Sequence, residues 1–191
     1  KGIMGLYLFT LLISSAIYVA YSYIEPFLKQ VSLMPDDWVT TALMVFGGAG
    51  LLGSIAFSKY YNRNRKLFIT VNVAAMALCL LLLYPVSSGF LPVIMLLAVW
   101  GATATAYNVA MQSNMILVTT PESTPVAMSI FSGIFNLGIG SGAFFGGAIC
   151  SDLSISYIGL AGGVLALIGL VYWVARLGNR LEPKDTLDKY L

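Results

Sequence analysis

Read from one charged residue to the next, the chain contains five long uncharged runs: 2–24, 38–58, 67–121, 123–151 and 153–175. A helix needs about 20 mostly apolar residues to cross ~30 Å of hydrocarbon. Four of the runs fit one crossing each. The third, 67–121, is long enough for two, and "YPVSSGFLP" divides it, with Pro85, Gly89 and Pro92 as punctuation. The pattern therefore predicts six membrane-spanning helices, near 4–28, 38–60, 67–86, 90–117, 125–150 and 154–176. The class is all-α integral membrane.

The links between the runs carry matching signals. In "SLMPDDW", Asp36 and Asp37 open the second helix, where acids favour the positive end of the helix dipole. In "STPVAM", Thr124 reads as an N-cap and Pro125 as the first helical residue. "SKYYNRNRK" is a short basic turn between the second and third helices. Pro26 falls near the end of the first helix, where a lost hydrogen bond is tolerated, so that helix is read as continuous through it.

Polar residues are unevenly spread over the six. The third helix has one strongly polar interior residue, Asn72, and the sixth, "YIGLAGGVLALIGLVYW", is apolar all round. Both suit lipid contact. In the first helix Tyr18, Tyr21, Ser22 and Glu25 share one face at i, i+3, i+4, i+7 spacing. Gly101, Thr105, Asn108 and Gln112 form a second stripe in the fourth helix. Ser129, Ser132, Gly133, Asn136 and Gly140 form a third in the fifth. Such stripes are costly against lipid, so each should point at another helix or at a wet cavity. For Asn108 and Asn136 the two readings stay open: a hydrogen bond across a helix interface, or a cavity wall.

Glycines crowd "FGGAGLLGS", with Gly47 and Gly50, and "GIFNLGIGSGAFFGG", where Gly138, Gly142 and Gly146 recur at every fourth position. Missing side chains let helix backbones approach, so these are read as packing positions. A phosphate-binding role would need a strand-to-helix setting that the pattern does not offer.

Composition narrows the classes. Only 9% of the 191 residues are charged, against about a quarter in soluble domains, and 59% are hydrophobic. There is no histidine, hence no Ser-His or Cys-His nucleophile and no histidine metal site, and no catalytic cluster is seen. Cys79 and Cys150 lie in different spans and read as small buried hydrophobes. No metal or cofactor is expected, and no basic-aromatic patch suggests nucleic acid. If six spans alternate, nine of the ten basic residues fall on one side: Lys1, Lys59, Arg63, Arg65, Lys66, Arg176, Arg180, Lys184 and Lys189. The positive-inside rule then makes both ends cytoplasmic, with 177–191 as a cytoplasmic tail. Glu25 is the one ionisable residue set within an apolar span, and the pattern leaves open whether it carries protons, gates, or simply pairs with Lys29.

These features resemble one half of a major facilitator superfamily transporter, the C-terminal six-helix bundle with its 3+3 inverted repeat. "GSIAFSKYYNRNRK" looks like a degenerate copy of that superfamily's cytoplasmic loop motif; Gly53 supplies the glycine, but Phe57 stands where the acid belongs. "AYSYIEPF", "GGAGLLGSIAF" and "PVAMSIFSGIFNLGIGSGAFFGG" resemble bacterial sugar efflux transporters of the drug/proton antiporter type.

The resemblance implies twelve spans in the complete protein, an N-terminal six-helix half as partner, and an inner-membrane location. It implies export of small sugars and related compounds, such as arabinose and thiogalactosides, in exchange for protons. It further implies that first and fourth helices line the cavity, second and fifth meet the other half, and third and sixth face lipid. Tyr18, Tyr21, Ser22, Glu25, Thr105, Asn108 and Asn136 then become candidate substrate contacts or cavity walls, with Glu25 the acidic candidate for proton coupling. Rival readings are a self-standing oligomeric scaffold or pore, and efflux of drugs or other small solutes by the same mechanism.

Overall fold

The computed structural model describes residues 2–178. Lys1, Arg180, Lys184, Lys189 and nearly all of the expected tail 177–191 lie outside the described residues. The helices are α1 (Gly2–Tyr21), α2 (Ile24–Gln30), α3 (Asp36–Tyr60), α4 (Arg65–Leu82), α5 (Phe90–Leu117), α6 (Thr124–Asp152) and α7 (Ile158–Tyr172), the last prolonged by a wider turn at Trp173–Leu177. No strand occurs among the described residues. With their flanking turns they make six units long and apolar enough to cross a membrane, α1 and α2 together forming the first. The all-α, six-span expectation holds, and the arrangement is consistent with one half of the expected fold.

The first helix needs a correction. It is not continuous over 4–28 but opens at Ser22 and Tyr23. Pro26 explains the break: its ring has no N–H to give and crowds the carbonyl four residues back, that of Ser22. Around it the Tyr23 N–H bonds to the Ala20 carbonyl at 3.1 Å, a tighter step than the α-helix, and Phe27 N–H to Tyr23 O at 3.0 Å restores the ladder. Tyr18 and Tyr21 stay on α1, Ser22 falls in the turn, and Glu25 moves to α2.

Helix starts follow local chemistry. The Asn64 side chain accepts from the Leu67 N–H at 2.8 Å and caps α4. The cap of α6 is one residue earlier than the sequence suggests: Ser123 is the capping position, and the Thr124 hydroxyl instead donates to the Thr120 carbonyl at 2.8 Å.

Lipid tails are as apolar as leucine, so cohesion in a membrane rests on close packing and on hydrogen bonds between helices. α1 is the central helix, buried along most of its length between α6 and α7. α6 approaches it through glycines: a Cβ on Gly142 would lie 2.6 Å from the Ser15 carbonyl oxygen and 3.0 Å from the Val19 nitrogen. α7 does the same. A Cβ on Gly162 would stand 2.6 Å from the Ala16 carbonyl, and Gly159 abuts the Leu80 carbonyl of α4. α3 and α5 meet at Gly53, against Ala102, and Gly101, against Phe46. Ser15 Oγ and Ser141 Oγ share a hydrogen bond of 2.9 Å between α1 and α6.

The ends of the bundle differ in charge. Gly5 abuts Leu177, Gly178 abuts Lys66, and the Tyr7 hydroxyl donates to the Ala127 carbonyl at 3.1 Å. These contacts gather the start of α1, the α3–α4 link, the start of α6 and the end of α7 at one end. Lys59, Arg63, Arg65, Lys66 and Arg176 are therefore together, and Lys29 is at the opposite end.

Candidate functional site

Four helices surround a cavity of about 280 Å³. α1 contributes Ile17, Tyr18 and Tyr21, and α5 contributes Gly101, Ala104, Thr105, Asn108 and Val109. α3 adds Phe46 and Gly47, and α6 adds Phe135. Gly47 leaves the cavity open where a side chain could stand. Thr105 lies over Gly50, and Gly101 brings α5 against the α3 backbone.

Aromatic rings interlock around this space. Tyr21 stacks on Phe46 with centroids 4.9 Å apart and meets Tyr18 edge-on at 5.7 Å. Phe135 meets Tyr18 edge-on at 6.3 Å, and Trp100, fully buried behind the wall, meets Phe46 edge-on at 5.3 Å. Edge-to-face and stacked pairs at these separations hold rings in place. Their polar partners are Thr105, Asn108 and the two tyrosine hydroxyls. The Gln112 side-chain amide donates to the Asn108 Oδ1, which leaves the Asn108 amide nitrogen to donate elsewhere. No lining residue is charged. The site offers aromatic faces plus neutral donors and acceptors, the means to recognise an uncharged polar solute.

The structure brings together Tyr18, Tyr21, Thr105 and Asn108. It does not bring Ser22, Glu25 or Asn136 to that cavity. Ser22 is exposed in the turn that Pro26 imposes. Asn136 sits on the outward face of α6, its amide donating to the Ser132 carbonyl at 2.8 Å, while its neighbour Phe135 takes the cavity side. Glu25 lines a separate recess of about 380 Å³ at the opposite end, with Lys29, Asp36, Val39, Thr40, Leu43 and Met44. There Lys29 Nζ binds Glu25 at 3.0 Å and Asp36 at 3.1 Å. The pair with Glu25 is thus present, and the second carboxylate, expected only to favour a helix dipole, joins it.

Of the glycines singled out for packing, Gly50, Gly138, Gly142 and Gly146 lie against neighbouring helices. Gly47 does not: nothing stands within 4 Å of where its Cβ would be, and it opens on the cavity. Sequence reasoning missed Phe46, Trp100 and Phe135, because an aromatic ring in an apolar helix does not stand out. The available signal was adjacency, since Phe46 precedes Gly47 and Trp100 precedes Gly101. No group of three or more His, Cys, Asp or Glu side chains able to hold a metal occurs among the described residues.

The profile of the Major Facilitator Superfamily matches residues 3–189. The chain belongs to that superfamily. As a superfamily member it is a multi-pass membrane protein and a transporter of small solutes. The superfamily chain presents its cavity chiefly on α1 and α5, the first and fourth spans.

Proposed function

We propose that this chain is one six-helix half of a proton-driven antiporter that exports small sugars or related neutral solutes from the bacterial cytoplasm by alternating access. The observation that carries the reading is the uncharged cavity, where the rings of Tyr18 and Tyr21 stand beside Thr105 and Asn108. Sugars are bound by hydroxyl-matching donors and acceptors together with an aromatic face, and this cavity supplies both. The complementary six-helix half closes the site from the other side, and rocking of the two halves exposes it alternately. Glu25, Lys29 and Asp36 act as an outer gate, and the principal proton-carrying group belongs to the complementary half. The share of Phe46 and Phe135 in the wall supports a second reading, efflux of flatter aromatic solutes by the same mechanism.

The test is counterflow of labelled sugar in proteoliposomes containing this chain with its complementary half. Asn108→Leu should lower the rate at least tenfold, since a site built to bond hydroxyls is left without its donor. Sugar counterflow by the chain alone, or full counterflow with Asn108→Leu, overturns the proposal. Loss of aromatic-solute transport with sugar transport absent throughout favours the second reading.

A further inference from the structure

The basic end of the molecule carries a second groove, separate from the central cavity. It lies between the end of α3 and the start of α4, with a volume of about 400 Å³. Ala56, Leu67 and Val71 are among its apolar walls, and Tyr60, Arg63 and Asn64 stand at its rim. α4 runs inward from that rim. At 1.5 Å per residue Val71 is about 9 Å deeper than Arg65, at the level of acyl chains, while Arg63 and Asn64 are at the level of headgroups.

The rim is built for an anion. No carboxylate among the described residues pairs with Arg63. The Asn64 Oδ1 is occupied by the Leu67 N–H, which leaves its amide group as a donor. Lys59 lies over the Tyr60 ring at 5.4 Å and Arg65 over the Tyr61 ring at 5.7 Å, adding positive field on either side. Glu122 is the one described acid at this end, and its own backbone N–H and then the Thr120 hydroxyl hold its carboxyl below the usual range. A headgroup ammonium would therefore find no acid among the described residues of the groove, whereas a phosphate finds a guanidinium fork. Ala56 and Tyr60 are also about two-fifths of a turn round α3 from the exposed Leu51 and Ile55, so a helix covering those two leaves the groove open.

We propose that this groove binds an anionic phospholipid, one acyl chain lying against Leu67 and Val71 and the phosphate held by Arg63 and Asn64. Basic pockets between spans on the positive side of a membrane are suited to such headgroups. The site needs only that the chain spans a membrane, and so stands apart from the choice of transported solute.

The test uses the full chain in bilayers, with Leu67→Trp as a reporter in the groove and Val164→Trp as a reporter on the open outer face of α7. Brominated phosphatidylglycerol and brominated phosphatidylcholine are the quenchers. At Leu67→Trp the anionic lipid should associate about fivefold more strongly, the worth of one basic side chain near a phosphate. Adding Arg63→Ala should bring that ratio close to one, and the ratio at Val164→Trp should be one throughout. Val71→Trp replaces Leu67→Trp if the latter lowers the yield of folded protein. Unchanged quenching at Val164→Trp in the Arg63→Ala background shows that the fold persists. Equal association of the two lipids in the groove, a ratio that survives Arg63→Ala, or the same ratio on α7 overturns the proposal.

Discussion

α6 and the unit built on α7, Ile155–Leu177, are both glycine-rich and both long enough to span, yet they treat their glycines differently. α7 turns Gly159, Gly162, Gly163 and Gly169 inward onto α4 and α1, and shows Leu160, Val164, Leu167, Ile168 and Val171 outward. That outer face is what lipid asks for. α6 turns Gly138, Gly142 and Gly146 onto α1 but shows Ser129, Ser132, Gly133, Asn136 and Gly140 outward among apolar residues such as Leu137 and Phe144, with nothing within 4 Å of where a Cβ on Gly133 or Gly140 would be. α3 repeats the pattern, with Gly50 and Gly53 packed, Gly47 open on the cavity and Gly48 open. Polar groups and bare glycines gain nothing from acyl chains, and small residues are useful in a membrane where another helix comes close. The outer face of α7 is apolar throughout and suits lipid; the open glycines of α6 and α3 are where the proposed complementary half would come close. This contrast supports a complementary six-helix unit more directly than the cavity does.

The largest expected effect separates packed from open glycines on the same helix. Gly142→Leu drives a side chain into the Ser15 carbonyl and the Val19 nitrogen, backbone atoms that cannot step aside. Overpacking costs about 1–3 kcal/mol, and the upper end is expected where backbone must move. Gly162→Leu, facing the Ala16 carbonyl, should match it. Thermal unfolding in detergent is the measurement. A Gly142→Leu chain as stable as the parent would break the contrast at its root.

The open positions should behave in the opposite sense. Gly133→Ala and Gly140→Ala meet no neighbour and replace a poor helix former with a good one, so each should raise the stability of the isolated chain by up to about 1 kcal/mol. A loss at either site would mean that the outward face of α6 is already covered within this chain. A finer probe is the hydroxyl pair between α1 and α6. A double-mutant cycle over Ser15→Ala and Ser141→Ala should return a coupling of about 0.6 kcal/mol, the usual worth of a polar contact between membrane helices. Coupling near zero would leave that interface to glycine packing, the Tyr7 hydroxyl bond to Ala127 and the Tyr18–Phe135 ring contact.

The legible parts of this molecule were those with a period or a length. Six spans follow from uncharged runs, and helical spacing sets Tyr18 with Tyr21, and Thr105 with Asn108, on shared faces. Spacing shows that residues share a face but not what that face meets: it leaves Asn136 open between a helix interface and a cavity wall, the resemblance makes it a candidate for the cavity, and it lies on the outward face of α6. Gly47 failed for the same reason, since a glycine that packs and a glycine that opens a cavity look alike in sequence. Phe46, Trp100 and Phe135 were hidden because hydropathy does not distinguish a ring that shapes a site from a ring that fills a core. The break at Ser22 was visible in Pro26, but its consequence depended on how far the chain could bend there.

Asn136→Leu is the most informative substitution with the smallest effect on the chain itself. Asn136 is exposed, and its amide bonds only to the carbonyl of Ser132 one turn back. Replacement removes no contact with another helix, so unfolding of the isolated chain should shift by no more than about 0.5 kcal/mol in either direction. If lipid covers this face, leucine is the better residue there and nothing else should change. If a second helical unit covers it, the Asn136 carbonyl oxygen and its amide are part of that contact, and counterflow with the complementary half should fall while the stability of the chain alone does not. Unimpaired counterflow with unchanged stability would return the α6 face to lipid and erase the difference between α6 and α7 on which the two-unit reading rests.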